Sequence, residues 1–138
     1  MNNLKKAADI LNSSEYTCVM CSDNDILTSK KRGVAPLLEL LDSGYDLHEY
    51  SAADKVVGNG AAFLYVLLKI KEVHANIISK SACMTLKNNN IPVTYDTLVE
   101  AIRNRDNTGF CPIEEAVAGI SSPDDALVAI RNNLKSLM

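Results

Sequence analysis

Three short segments carry the residues best suited to chemistry. The first is Asp54-Lys55, which precedes a strongly apolar stretch. Lys55 supplies an ammonium that could meet an anion or a carbonyl; the alternative is a lysine whose stem snorkels along apolar surface and pairs with a carboxylate. The second is Ser79-Lys80-Ser81, at an expected strand-to-helix turn. The third runs from Asn104 through Arg105 to Cys111-Pro112-Ile113-Glu114. Cys111 precedes a proline, the residue type that suits a first helical position, so it is a candidate N-cap. A sulfur over a helix N-terminus is favoured as thiolate and makes a nucleophile. The competing reading is a buried or capping cysteine. Glu114 could close a reciprocal cap or act as an acid or base. Backbone N–H groups and Arg105 in the Asn104–Gly109 loop could hold a carboxylate or phosphate, or the loop could be an ordinary turn.

Other groupings are less specific. Cys18-Val19-Met20-Cys21 has C-x-x-C spacing but reads as a strand, on which residues three apart face opposite ways. The two thiols should diverge, and His48 and His74 add no ligand-like spacing. No metal site and no cofactor are expected. Lys30-Lys31-Arg32 reads as a solvated loop.

The elements that must position these residues follow from periodicity. Leu4, Ala7, Ala8 and Leu11 mark an amphipathic helix. Tyr16–Cys21 and Ile26–Ser29 flank a turn at Asp23-Asn24 and predict a hairpin. Pro36 opens a leucine-rich helix that Gly44 stops. Ser51-Ala52-Ala53-Asp54 resembles a capping box and predicts one long buried helix to about Lys69. Lys55 would then oppose that helix's dipole, and Gly58 and Gly60 would be explained by close approach of a neighbouring backbone. A strand at Ala75–Ser79, a helix at Ser81–Asn88 and a strand at Val93–Tyr95 come next, then a brief helical turn at Leu98–Ile102 and two more helices. Two strand–helix–strand crossovers require parallel pairing, and the right-handed rule is expected to place helices on both faces of the sheet. The fold class is therefore α/β, a three-layer α/β/α sandwich formed by one domain over residues 1–138.

Composition narrows the function. The chain has 138 residues, 47% hydrophobic and 22% charged, which suits one globular core and excludes a disordered tail. A net charge of −3, no Trp and 5% aromatic content argue against a nucleic-acid partner. The apolar run Ala61–Leu68 is too short to span a bilayer, so no membrane partner is expected. No signal-like core follows the first lysines, and four cysteines read as reduced thiols in a cytoplasmic protein.

Ala53-Asp54-Lys55-Val56-Val57-Gly58 with Ala61-Ala62, and Asn104-Arg105 followed by Gly109 and Cys111-Pro112-Ile113-Glu114, resemble the markers of a bacterial and archaeal domain-of-unknown-function family of cytidine deaminase-like fold. The resemblance runs from the first hairpin to the last helix and implies a mixed five-stranded sheet between helices. Zinc deaminases of that fold carry H-x-E or C-x-E and P-C-x-x-C at the starts of two helices. Here those places should fall near Ala53-Asp54-Lys55 and Ser79–Cys83, where the zinc set and its glutamate are absent. Hydrolytic deamination then has no visible nucleophile. The expected function is binding of a small polar or anionic ligand by Asp54, Lys55, Ser79, Ser81, Asn104 and Arg105, with Cys111, Lys55 and Glu114 the candidates for chemistry. The alternatives are a non-catalytic interaction or regulatory module and a thiol enzyme using Cys111. Related folds often form oligomers, so the resemblance allows a homodimer.

Overall fold

A computed structural model describes residues 2–31, 33–103 and 111–136. Helix α1 (Asn3–Asn12) begins where the Asn2 side chain accepts the N–H groups of Leu4 and Lys5, and it buries Ala7 and Leu11. The hairpin β1 (Cys18–Cys21) and β2 (Ile26–Ser29) closes through the Ser22 N–H donating to the Asp25 carbonyl at 2.9 Å. Helix α2 (Ala35–Asp42) has Pro36 in its first turn and buries Leu37 and Leu38.

The next segment departs from the expected long helix. Residues Ser51–Val57 form strand β3, and helix α3 covers only Asn59–Leu68. A run that is apolar on all sides suits a fully buried strand as well as a buried helix, and periodicity alone does not separate them. Pairing decides it. β3 lies between β1 and β4 (Glu72–Ser79), so its backbone is bonded on both edges. Ala52 and Ala53 are fully buried, each facing a different layer of helix. The Ser51 hydroxyl, expected as a helix cap, donates to Glu72 Oε2 at 2.5 Å instead.

Helix α4 (Lys80–Asn88) leads to β5 (Val93–Val99), and helices α5 (Pro112–Val117) and α6 (Pro123–Ser136) complete the described chain. The helical turn expected around Leu98 is absent: Thr97, Leu98 and Val99 continue β5 in parallel register with Ile77, Ile78 and Ser79. The sheet order is β2-β1-β3-β4-β5, with β1 antiparallel to both neighbours and β3, β4 and β5 parallel.

Helices do cover both faces, but not through the crossovers. The two crossovers advance in one direction across the sheet, so a common right hand puts α3 and α4 on the same face. They pack on each other there, and α1 forms the other layer against β1, β3 and β4. The larger core joins Met20, Ala52, Ala75 and Ile78 of the sheet to Leu64, Tyr65 and Leu86. The smaller core joins Ala7 and Leu11 to Val19, Cys21 and Ala53. Helix α3 is buried as expected, because α2, α4, α5 and α6 surround it. No described helix is long and apolar enough to cross a membrane.

Gly58 and Gly60 have a steric explanation, though the neighbours are side chains rather than backbone. A Cβ on Gly58 would lie 2.6 Å from the Glu114 carboxyl carbon, and one on Gly60 would lie 2.5 Å from Ile113 Cγ2. Gly60→Ala should therefore destabilise the protein by about 1–3 kcal/mol through overpacking, despite the better helix propensity of alanine. Urea unfolding midpoints test this; an unchanged or raised midpoint would show that α5 yields without cost.

Candidate functional site

Strand β3 is uncovered at Lys55 and Val56, between its buried first half and the buried Val57 at its end. Ser51 to Ala53 are buried, Asp54 is partly buried, and Lys55 and Val56 are exposed. The β1–β2 hairpin with its following loop, α3 and α5 surround this strand end and border a half-open cavity of about 830 Å³. Asp54, Lys55, Cys111 and Glu114 all line it.

Asp54 lies at the end of a buried polar chain. Tyr65, fully buried on α3, donates its phenolic O–H to Asp54 Oδ2 at 2.7 Å. Cys18 Sγ stands 3.4 Å from the same phenolic oxygen, and its S–H donates there because the tyrosine proton is already committed. The Val56 N–H reaches Asp54 Oδ1 at 3.3 Å. Burial pushes the Asp54 carboxyl from its ordinary 3.8 up to about 7, against the opposing pull of the Tyr65 hydrogen bond and the backbone donors. Burial and then the nearby Asp54 charge keep the Cys18 thiol and the Tyr65 phenol protonated, both well above their usual range.

Glu114 is committed elsewhere. Its Oε1 accepts the Asn59 N–H at 2.6 Å and its Oε2 accepts the Gly60 N–H at 2.9 Å. It thus caps α3 from another helix, rather than closing a reciprocal cap on α5. Gly58, at the N-cap position of α3, makes no side-chain cap bond of its own. A carboxylate at this helix end satisfies orphan donors and complements the dipole.

The remaining site candidates divide clearly. Lys55 sits on a strand, so the expected conflict with a helix dipole does not exist. Cys111 is the N-cap residue of α5 and half-exposed, but it makes no side-chain cap hydrogen bond. Ser79 is buried as the N-cap of α4, accepting the Ala82 N–H at 3.2 Å, and Ser81 lies 3.2 Å from it. Neither serine lines the cavity. Asn104 and Arg105, with the rest of their loop, lie outside the described residues. Cys18 and Cys21 belong to different cores on opposite faces of the sheet. Among the described residues no three His, Cys, Asp or Glu gather closely enough to hold a metal ion.

The family model of TM1506, a domain of unknown function (DUF1893), matches residues 6–134. The chain belongs to that family. It is similar to the crystal structure of a DUF1893 family protein (TM1506) from Thermotoga maritima, with 27% identity and a TM-score of 0.86. The likeness covers 98% of this chain and 90% of the other. No curated protein matches it.

In this DUF1893 chain, sequence reasoning passed over Tyr65 and the rim position of Lys30 and Lys31. Tyr65 left a signal: a single phenol within an apolar helix must find a polar partner when buried. Lys30 and Lys31, read as a solvated run, do keep their ends in water, pairing with Glu15 at 3.9 Å and with Glu39 respectively. Arg103 follows β5 and lines the same cavity as Cys111.

The Asp54 carboxyl has a definite pH consequence. Its folded value is raised above its unfolded one, so its stabilising contribution is complete below 3.8 and is lost as pH rises through about 7. Asp54→Asn keeps the acceptor for Tyr65 and removes the titration. At about pH 8 the variant should exceed the wild type by ~1–3 kcal/mol, a figure reduced for partial solvent access, with the gap closing towards about pH 5. Denaturant titrations across this range check it; parallel pH profiles would contradict the burial of this carboxyl.

Proposed function

We propose that the cavity binds a small polar or anionic ligand and that Lys55 is its principal cationic contact. One observation carries this reading. The exposed Lys55 ammonium borders the cavity, yet among the described residues it has no ion-pair partner. The other two cavity lysines do have partners. The apolar side chains of Val34, Leu37, Ala61 and Ile113 on the same wall supply the burial that a small ligand needs. The cavity's size also falls within the range of small-molecule sites.

We further propose that the sandwich is of the cytidine deaminase-like type and that its pocket does not use zinc-dependent deamination. The mixed sheet and its order support the first point. The second is supported by residue types at the two helix starts. Helix α3 begins Gly58-Asn59-Gly60, five residues beyond the place expected from sequence, and still carries no His, Cys or Glu there. Helix α4 begins Ser79-Lys80-Ser81-Ala82-Cys83, with one cysteine. The reading is one of binding and assigns no reaction.

Thermal unfolding in the presence of a panel of small carboxylates and phosphates tests the proposal. At least one compound should raise the midpoint of the wild type and of Ser81→Ala, whose side chain lies outside the cavity. Lys55→Ala should lose that rise. A panel without effect, or a rise retained in Lys55→Ala, would overturn it.

A further inference from the structure

The charges around the cavity are mostly spent. Among the described residues, seven charged ones line it. Glu15 and Lys30 pair with each other, and Lys31 pairs with Glu39. Glu114 gives both oxygens to the first turn of α3. Arg103 is engaged as well. Two remain. Neither Asp54 nor Lys55 has an opposite charge within ion-pair distance among the described residues.

These two cannot answer each other simply by being neighbours. Consecutive residues on a strand point to opposite faces, so the Asp54 carboxylate turns towards α3 and the Lys55 ammonium turns away. Both residues nevertheless line one cavity, which borders the end of β3. Asp54 is also held in place. Tyr65 fixes one carboxylate oxygen from behind, and Cys18 fixes Tyr65. Its only hydrogen-bond partners among the described residues are neutral donors, a phenol and backbone amide groups. A carboxylate positioned in this way is prepared to accept from a donor that the protein does not supply.

We propose that Asp54 determines specificity at this site by accepting from a cationic amine, so that the ligand is a zwitterion whose anionic end meets Lys55 and whose ammonium meets Asp54. This rests on the cavity being a ligand site, as argued above, and adds the class of ligand. The apolar side chains that line the same cavity suit a ligand with a hydrocarbon or aromatic body. A ligand with only an anionic group would leave Asp54 uncompensated. One with both groups neutralises two charges at once, and each new bond is charge-assisted. Among the described residues, the groups facing Asp54 are Cys18 from β1, Tyr65 from α3 and the backbone of β3 itself. None carries positive charge, so an arriving ammonium has no competitor among them.

Calorimetric titration with 4-(aminomethyl)benzoate and with 4-methylbenzoate tests this. The two probes share a carboxylate and a ring and differ in the amine. At about pH 8, where Asp54 is ionised, the aminomethyl compound should bind at least about tenfold more tightly to the wild type. Asp54→Asn should shrink that preference to about twofold or less without weakening 4-methylbenzoate, and Lys55→Ala should weaken both. Equal affinities, or a preference that survives in Asp54→Asn, would overturn the zwitterion assignment. If Lys55→Ala still weakened both probes, the cavity would stand as an anion site. Absence of binding by both probes would overturn the assignment and the cavity reading together. Unfolding midpoints of the variants, measured alongside, show whether any loss comes from misfolding.

Discussion

A single carboxylate organises the cavity side of this molecule. Glu114, on the short helix α5, accepts the first two amide donors of α3. A cap of this kind stabilises by ~1 kcal/mol, with a further contribution from the helix dipole. Its structural consequences are larger than that figure. The carboxyl group fits only because Gly58 has no Cβ, and Ile113 beside it fits only because Gly60 has none. The contact draws α5 onto α3, and α5 in turn packs with α6. It also holds α5, with Cys111 at its N-cap, along the cavity that β3 lines. The most buried helix, the outer pair of helices and the site therefore share one constraint.

That constraint alters what the helix N-terminus can do. Donors at the start of a buried helix are a natural anion site. Here an internal anion already occupies them, so in the proposed binding mode ligand charge is met by side chains instead. Lys55 and Asp54 are the side chains left without opposite charges among the described residues. The chain Cys18–Tyr65–Asp54 shows the cost of such a site. It places three titratable groups in a low-dielectric interior, and each is driven towards its neutral form. A phenol and a thiol bear this easily. The carboxyl does not, and at neutral pH it is balanced between two states.

Much of the architecture was legible in the sequence, and the failures have physical causes. The hairpin, α1, α2 and the strand–helix–strand stretch after Ala75 followed from periodicity, turn residues and proline placement. The segment Ser51–Val57 misled because burial on both faces erases the period that separates strand from helix. That one error moved Lys55 onto a helix and displaced the start of α3 to the wrong side of Gly58. The right-handed rule was sound, but it needed the strand order before it could say which face each crossover covers. Among the site residues, Asp54, Lys55, Cys111 and Glu114 do share a cavity. Ser79 and Ser81 belong to the cap of α4. The distinction depends on where a helix start lies relative to the sheet rim, which local sequence does not encode. The two glycines were a clear signal, since their place within a buried helix announced a close approach, although the sequence pointed to a neighbouring backbone and the structure shows the side chains of Glu114 and Ile113.

The most direct measurement is amide hydrogen exchange at Asn59 and Gly60 in the wild type and in Glu114→Ala. If the Glu114 carboxylate holds the start of α3, exchange at these two amides should rise by about tenfold or more in the variant, the equivalent of losing a cap, while amides in the centre of β4 keep their protection. Unchanged exchange at Asn59 and Gly60 would mean that α3 is held without Glu114 and would contradict the account.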